Sequence, residues 1–447
     1  MKMKVLVLGQ GGREHAIAWK LSRSPKIEKV FVSPGNGGTA LEKSIENIDL
    51  SLDDSDLLIN FAKKENIDIT IVGPEGPLVD GLVDKFKEHN LKIFGPTKNY
   101  AILEGSKVFA KEFMKNYDIP TADYQMFSDA KEAKAFVKDK KHPIVIKADG
   151  LAAGKGVVVS STAGETYKAI DDLLTSNHSD HIVIEEFLTG QELSAIYVCN
   201  FKGCSFEIAL PWTKDYKSRD EYNNGPNTGG MGAVSHPLCY EHKNTVYKLH
   251  IDIEKIMIKT IASINSYNKN VNNGYLGFIY IGLMVDNKNN IKVLEYNCRL
   301  GDPETQNLML TLDNKDIDLI DLILNEPISN IKDINLDRID TIDDSFCCTL
   351  VLAAKGYPGE YKRDFYIDYS SIVENNKIKI FHAGTVYKNN ILKSVGGRIL
   401  TVNVFSDNKE DAISLAYENI RKIKIFEDES MTIQNQDLVF YREDIGN

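Results

Sequence analysis

Apolar positions in this chain follow two rhythms, and the rhythm changes along its length. Residues 4–8 (KVLVL) are a short apolar run that predicts a buried strand. Ile17, Ala18 and Leu21 then fall at helical spacing and predict a helix over 14–21. The alternation continues with strands at 30–32, 69–72 and 93–94 and helices at 56–64 and 82–89. Strand–helix–strand order implies a doubly wound α/β unit, a parallel sheet with helices on both faces. Ligands of such sheets sit beyond the carboxyl ends of the strands.

After Pro96 the pattern shifts. Residues 101–117 read as one helix with Phe109 and Phe113 on one face, ended by 118–120. From about 121 to 193, strands at 144–147, 157–160 and 182–187 alternate with helices in a compact stretch. Residues 274–285 and 291–296 read as a hairpin across the polar turn 287–290. From about 330 the chain reads as a separate α+β unit, with a strand at 398–404 and a helix marked by Ala412, Ala416, Ile420 and Ile423.

Length adds a domain count: 447 residues at about 150 per domain suggest three domains or one lobed body. The net charge of −11 argues against a nucleic-acid-binding surface but leaves room for a local anion pocket. No apolar run of about 18 residues is present, so no membrane span is expected. MKMKVLVLG starts like a signal peptide, but its apolar run stops at Gly9, and Arg13 and Glu14 follow; a buried strand is the better reading. Six cysteines without CxxC spacing fit a reduced, cytoplasmic protein.

Five segments carry candidate chemistry. Gly9-Gln-Gly11-Gly12-Arg13-Glu14 follows a strand and opens a helix. Its glycines suit a phosphate, a dinucleotide or a merely tight turn; Glu14 stands where the dinucleotide fingerprint needs its third glycine. The loops 33–38 and 73–75 end strands on the same edge, and together the three frame a small phosphorylated ligand. Lys147 ends a strand, and the glycine-rich loop 150–156 leads into another strand. That loop is either a lid over polyphosphate or a flexible hairpin with a solvated lysine. Glu185 and Glu186 end an apolar strand on opposite faces; they read either as surface carboxylates or as one contact to an adenine amino group and one to water, with Glu192 placed to reach a ribose. Glu295, Asn297 and Arg299 share one face of a strand: two hard oxygen ligands for Mg²⁺ beside a guanidinium for phosphoryl or carboxylate. Residues 225–232 (GPNTGGMG) form a loop built for close approach, or a plain mobile one. His382 and the Cys347-Cys348 pair read as structural.

In this order the segments resemble the glycinamide ribonucleotide synthetase (phosphoribosylamine–glycine ligase) family of ATP-grasp enzymes. GQGGREHA, PGNGG, LEGSKVFAKEF, KADGLAAGKGVVV, IEEFL, GPNTGGMGA, VLEYNCRLGDPETQ and FHAGT carry the likeness over essentially the whole chain. The resemblance implies an N-terminal doubly wound domain (1–103), an ATP-grasp domain (104–327) with a lid subdomain (about 121–193), and a C-terminal α+β domain (328–447). It implies ATP with Mg²⁺, or Mn²⁺ as the alternative, and ligation of glycine to 5-phosphoribosylamine through glycyl phosphate in purine synthesis. It also implies a cytoplasmic monomer acting on small molecules, with no nucleic-acid or membrane partner.

Site roles follow from the same resemblance. Lys107 and Lys147 would bind ATP phosphates, with Gly154, Lys155 and Gly156 in the lid. Glu185, Glu186, Phe187 and Leu188 would lie at adenine and Glu192 at ribose. Glu295 and Asn297 would hold the metal. Arg299 would face the phosphoryl group and the glycine carboxylate, with Lys147 and Arg299 carrying catalysis. Gly11, Gly12, Asn36, Gly37 and Glu75 would frame phosphoribosylamine, with Asp215, Lys217 and the loop Asn227, Thr228, Gly229, Gly230 closing on it. Tyr216 and Ser218 depart from the family pattern, where His and Arg are usual. An ATP-grasp ligase joining another acid and amine, a nucleotide-binding regulator without turnover, and a nicotinamide oxidoreductase are the alternative readings.

Overall fold

The computed structural model describes residues 2–151, 156–175, 179–200, 207–235, 243–268, 274–324 and 345–446. Strands β1 (Met3–Gly9), β2 (Ile27–Pro34), β3 (Ile45–Asn47), β4 (Ile69–Val72) and β5 (Ile93–Phe94) form one parallel sheet in the order β3-β2-β1-β4-β5. Val5, Leu6, Val7 and Leu8 are fully buried, the signature of a strand covered on both faces. Helices α1 (Gly12–Ser22), α2 (Ser55–Lys64), α3 (Glu75–Asp80) and α4 (Leu82–Glu88) connect the strands. The strand order reverses between β1 and β4, so the loops at Gly9 and Gly73 meet at the sheet's switch point. The six-residue α3 gave too short a period to be read from the sequence; Gly81, at φ 89°, separates it from α4.

The single helix expected over 101–117 is two, α5 (Lys98–Gly105) and α6 (Lys107–Asn116). Ser106 between them is extended (φ −141°, ψ 118°), and its Oγ accepts from the Phe109 N–H at 3.0 Å, capping α6. Phe109 and Phe113 still stack, with centroids 6.1 Å apart.

Strands β6 (Tyr124–Phe127), β7 (Ile144–Ala148), β8 (Val157–Ser160) and β9 (Ile182–Glu186) form an antiparallel sheet in the order β6-β9-β7-β8. Helices α7 (Ala130–Val137) and α8 (Ala163–Thr175) pack on it through Ala133, Val137 and Ile170 against Ile146 and Ile184.

Then follow β10 (Gln191–Asn200), β11 (Glu207–Ala209), β12 (Thr213–Asp215), β13 (Gly232–Ser235), α9 (Lys243–Tyr267), β14 (Leu276–Val285), β15 (Ile291–Asn297), α10 (Glu304–Asn314) and α11 (Leu319–Leu324). The expected hairpin is β14/β15, with Tyr280 opposite Asn297 and Gly282 opposite Glu295. The C-terminal stretch holds β16 (Phe346–Ala354), β17 (Tyr366–Asp368), β18 (Ile378–His382), β19 (Thr385–Lys388), β20 (Ile391–Ser394), β21 (Arg398–Ser406), α12 (Lys409–Ile420), β22 (Lys424–Phe426) and β23 (Val439–Phe440).

This stretch is α+β, as expected, and its sheet continues that of the residues before it. The sheet runs β15-β14-β10-β12-β13-β16-β21-β18, and β13 pairs antiparallel with β16 from Gly232↔Leu350 to Val234↔Cys348. The sequence of β16, apolar but for Thr349 and buried along its whole length, belongs inside a sheet covered on both faces. Among the described residues no helix is long and apolar enough to cross a membrane.

Candidate active site

The first side chains to converge come from α6, β7 and β9. Lys107 and Lys111 stand four apart, on one face of α6. Glu185, the inward carboxylate of β9, is buried between two ammoniums: Lys147 Nζ at 3.0 Å and Lys111 Nζ at 3.1 Å. Lys147 Nζ also donates to the Leu294 carbonyl at 3.2 Å, tying β7 to β15. Lys107 Nζ donates to the Gly150 carbonyl at 2.7 Å, at the start of the glycine-rich loop. Asp149 accepts from Ser106 Oγ and the Val108 N–H, both at 3.0 Å. Burial lowers the pKa of Lys107 and brings Lys111 down to about 8. Three ammoniums, two of them sharing the single carboxylate of Glu185, leave an excess of positive charge beside the start of the glycine-rich loop.

Glu186 points the other way, as strand alternation requires. It is exposed and pairs with Lys292, and it accepts from the Asp123 N–H at 3.1 Å. Phe187 just beyond is 41% exposed. Glu185 faces the lysines, so its contribution is to hold them rather than to offer a free acceptor at an exposed edge. Lys111 was missed by the sequence reading, although its i,i+4 spacing from Lys107 was a usable signal. Gly154 and Lys155 lie outside the described residues.

On β15, Glu295 and Asn297 share a face, because alternate residues of a strand do. Lys217 Nζ lies 3.3 Å from Glu295 Oε1 and 3.7 Å from Glu192 Oε2. The field of Lys217, with Lys147 and Lys107 behind it, holds the Glu295 carboxyl down at about 2. A permanently ionised carboxylate beside an amide oxygen is a hard donor pair suited to Mg²⁺. Among the described residues no group of three or more His, Cys, Asp or Glu is placed to hold a metal.

Arg299 lies past the end of β15. Its Nε is 3.1 Å from Glu75 Oε2 and its NH2 is 3.0 Å from Glu104 Oε1. Glu104 also accepts from the Cys298 N–H at 2.6 Å, and burial raises its pKa to about 7. Arg13 continues the chain, 3.9 Å from Glu75 and 2.6 Å from Glu14. The N-terminal loops thus reach the β15 site through alternating charges.

Those loops are tightly filled. Glu14 Oε2 accepts from the Gly11 N–H at 2.7 Å, and the Glu14 side chain occupies the space that a Cβ would take at Gly9 and at Gly73. The glycines of β1 and β4 therefore make room for Glu14. A Cβ at Gly12 would meet Gln306, and one at Gly37 would meet Thr385 Oγ1 at 2.8 Å. Asn36 Nδ2 donates to the carbonyls of Gln10 (2.9 Å), Gly11 (3.2 Å) and His382 (2.8 Å). Its Oδ1 accepts from the N–H groups of Gly38 and Thr39. Every polar atom of that side chain braces backbone, so Asn36 shapes the pocket wall and has no group left for a ligand.

The loop over 217–230 is clamped from within and without. Thr228 Oγ1 donates to the Lys217 carbonyl at 2.8 Å and accepts from the Gly230 N–H at 3.0 Å. Arg398 NH1 reaches the carbonyls of Gly229 (2.5 Å) and Asp302 (2.6 Å), and Arg398 NH2 pairs with Asp302 Oδ2 at 3.3 Å. Tyr357 OH accepts from the Gly229 N–H at 3.1 Å. Asn227 forms an isolated bridge with Ser218.

Asp215 and Lys217 turn toward the site, whereas Tyr216 between them turns away. Its ring is buried in the C-terminal core under Arg442, and its OH accepts from the Gly446 N–H at 3.0 Å. The Tyr216 departure is thus a packing change. Ser218 contributes its carbonyl to Arg442 at 3.0 Å. Glu104, Glu304 and Arg398 join the site without having been given a role from sequence: Glu104 and Arg398 reach it from distant parts of the chain, and Glu304 through its contact with Ser194.

Residues 3–104 match the N domain of the phosphoribosylglycinamide synthetase family, 105–305 its ATP-grasp (A) domain and 347–447 its C domain. The chain is 42% identical to phosphoribosylamine–glycine ligase of Escherichia coli (strain K12), over 99% of this chain and 98% of that one. The Fusobacterium nucleatum protein of the same name gives the same figures. A crystal structure of phosphoribosylamine–glycine ligase from Thermotoga maritima superposes with a TM-score of 0.77 at 31% identity, covering 99% and 100%. A biotin carboxylase of Campylobacter jejuni shares the fold at 15% identity, with a TM-score of 0.70 over 95% of this chain and 92% of that one. Matches to all three domains, in chain order and from end to end, establish that this chain belongs to the phosphoribosylglycinamide synthetase (phosphoribosylamine–glycine ligase) family.

Proposed function

We propose that this chain ligates glycine to 5-phosphoribosylamine with cleavage of ATP, giving glycinamide ribonucleotide, ADP and phosphate. The observation that carries this reading is the convergence of Lys107, Lys147, Lys217 and Arg299 around the ionised Glu295 of β15. That arrangement suits transfer of a phosphoryl group between two anions, where positioning and charge neutralisation do most of the catalysis.

Glycine's carboxylate is a poor electrophile because its oxygens leave badly. Phosphorylation gives glycyl phosphate; the amine of phosphoribosylamine then attacks the carbonyl and phosphate departs. No enzyme nucleophile takes part. Lys107 and Lys147 hold the ATP phosphates. Arg299, fixed between Glu75 and Glu104, faces the transferred phosphoryl group and the glycine carboxylate. The loop from Gly150 to Gly156 covers the phosphates and keeps water from the acyl phosphate. Glu295 and Asn297 would hold Mg²⁺, with Mn²⁺ as the alternative, and the ion would neutralise phosphate charge. Gly11, Gly12, Gly37 and Glu75 frame phosphoribosylamine under the loop from Asn227 to Gly230. Phe187 and Leu188 flank adenine, and Glu192 lies at ribose.

Residues 1–103, 104–327 and 328–447 form the three functional units, with the lid at about 121–193. The protein acts as a cytoplasmic monomer on small molecules; buried cysteine thiols at 298, 347 and 348 fit a reducing compartment.

The test is ADP release from Mg²⁺ATP and glycine, with phosphoribosylamine made in situ from ribose 5-phosphate and ammonia. Release that requires both glycine and the amine is expected. Release without glycine but with another acid keeps the phosphoryl chemistry and overturns the substrate pair.

A further inference from the structure

Beside the β15 site is a buried cluster that the mechanism above leaves unused. Glu304 opens α10 and is 3% exposed. Its Oε1 accepts from Ser194 Oγ at 3.3 Å, and Ser194 Oγ lies 2.9 Å from Tyr280 OH. Asp215 ends β12 next to it. Asp215 Oδ1 is shut off from solvent and has no hydrogen-bond partner among the described residues. Lys217, the nearest ammonium, turns to Glu295 and Glu192 instead. A buried carboxylate oxygen without a donor is costly, and in a binding site it is a place for a donor that arrives with the ligand.

The surroundings set what that ligand is. Burial pushes both carboxyl pKa values up, with the charge of Glu304 adding to the rise at Asp215 and that of Asp302 to the rise at Glu304, a state that one added cation would oppose. Arg299 and Lys217 lie near enough to Glu304 for their charges to oppose that rise. Carboxylates beside a guanidinium and an ammonium match the two ends of a zwitterion. The space is small: a Cβ on Gly230 would stand 2.7 Å from Asp215 Oδ1 and collide with Pro303.

We infer that Asp215 and Glu304 bind the ammonium group of the amino-acid substrate, holding its carboxylate toward Arg299. This rests on the ligase reading above and names the part of the site that recognises glycine as an amino acid. Asp215 Oδ1 accepts from the ammonium, and the backbone of Gly230 closes the space that a side chain on that substrate would need.

The test uses the full chain and steady-state ADP release. Wild-type activity that depends on glycine establishes the ligase reading before any variant is compared. Asp215→Asn is then expected to raise the KM for glycine by about 30-fold, the loss of one hydrogen bond to a charged group. The KM values for ATP and phosphoribosylamine should stay within about twofold, inside the scatter of such contributions. A rise in the phosphoribosylamine KM instead, or a fall in kcat with the glycine KM unchanged, overturns the proposal. Glu304→Gln is the second variant if Asp215→Asn does not fold. A measurement without mutation is ADP release with glycolate, which keeps the carboxylate and lacks the ammonium. Glycolate as good as glycine overturns the proposal; release at least about 30-fold weaker in kcat/KM supports it.

Discussion

Lys147 and Glu295 are the two residues on which the phosphoryl chemistry depends most directly. Removing a donor aimed at developing charge costs about 100- to 1,000-fold in turnover. Lys147→Ala is therefore expected to lower kcat by at least about 100-fold, and Glu295→Ala by a similar factor. Both should stay folded. Lys147→Ala leaves Glu185 with Lys111 as partner, at a stability loss of about 1–3 kcal/mol, readable in a urea titration. Near-normal turnover in either variant would reject the role given to that residue. At this scale the sequence was most readable where chemistry is local. Lys147, Glu295 and Asn297 were visible as polar interruptions of apolar strands. Glu104, Glu304 and Arg398 were not, because what makes them matter is a partner far along the chain.

At the scale of elements, the loop over 225–232 shows how a short glycine motif is used. Gly230 sits at φ 112°, where L side chains are strained, and its backbone abuts Pro303 and Asp215. Gly230→Ala should destabilise the chain by about 1–3 kcal/mol and weaken substrate binding together. Denaturant midpoints and the glycine KM check the two effects; a change in neither would show that the loop has room to spare. The strand rhythm of the parallel sheet could be read because a strand buried on both faces leaves an unbroken apolar run. The break at Ser106 was harder: apolar spacing continues across it, and the extended Ser106, its cap on Phe109 and the distant Asp149 separate α5 from α6. Gly9 and Gly73 belong to loops that read as phosphate-binding, yet at these two positions the missing side chain makes room for Glu14. A carboxylate five residues from Gly9 is indistinguishable by spacing from an ordinary helix residue.

At the scale of the whole molecule, the N-terminal and C-terminal regions meet at a buried polar seam. Lys379 Nζ lies 2.6 Å from Glu42 Oε1, and His15 Nε2 lies 3.6 Å from the same oxygen. His15 Nδ1 accepts from the His382 N–H at 2.9 Å, and burial lowers the pKa of both imidazoles. Against its own burial, Glu42 is held at about 2 by His15 and Lys379, below its ordinary 4.5. A lowered carboxylate stabilises the fold fully above about pH 4.5 and loses that contribution as the pH falls toward 2. Glu42→Gln should therefore flatten the stability-versus-pH curve in that window, read from urea midpoints at neutral and acid pH. An unchanged acid slope would assign it to other carboxylates.

The join between β13 and β16 makes the C-terminal hundred residues a structural completion of the chain before them. A polypeptide severed between 324 and 345 would present bare strand edges on both pieces, and such edges seek partners. The two fragments, made together, should re-associate without a covalent link and elute as one species with ligase activity. Made alone, the larger fragment should aggregate through β13. If it proved a soluble monomer, the sheet would be modular at that strand, and the C-terminal region an attachment.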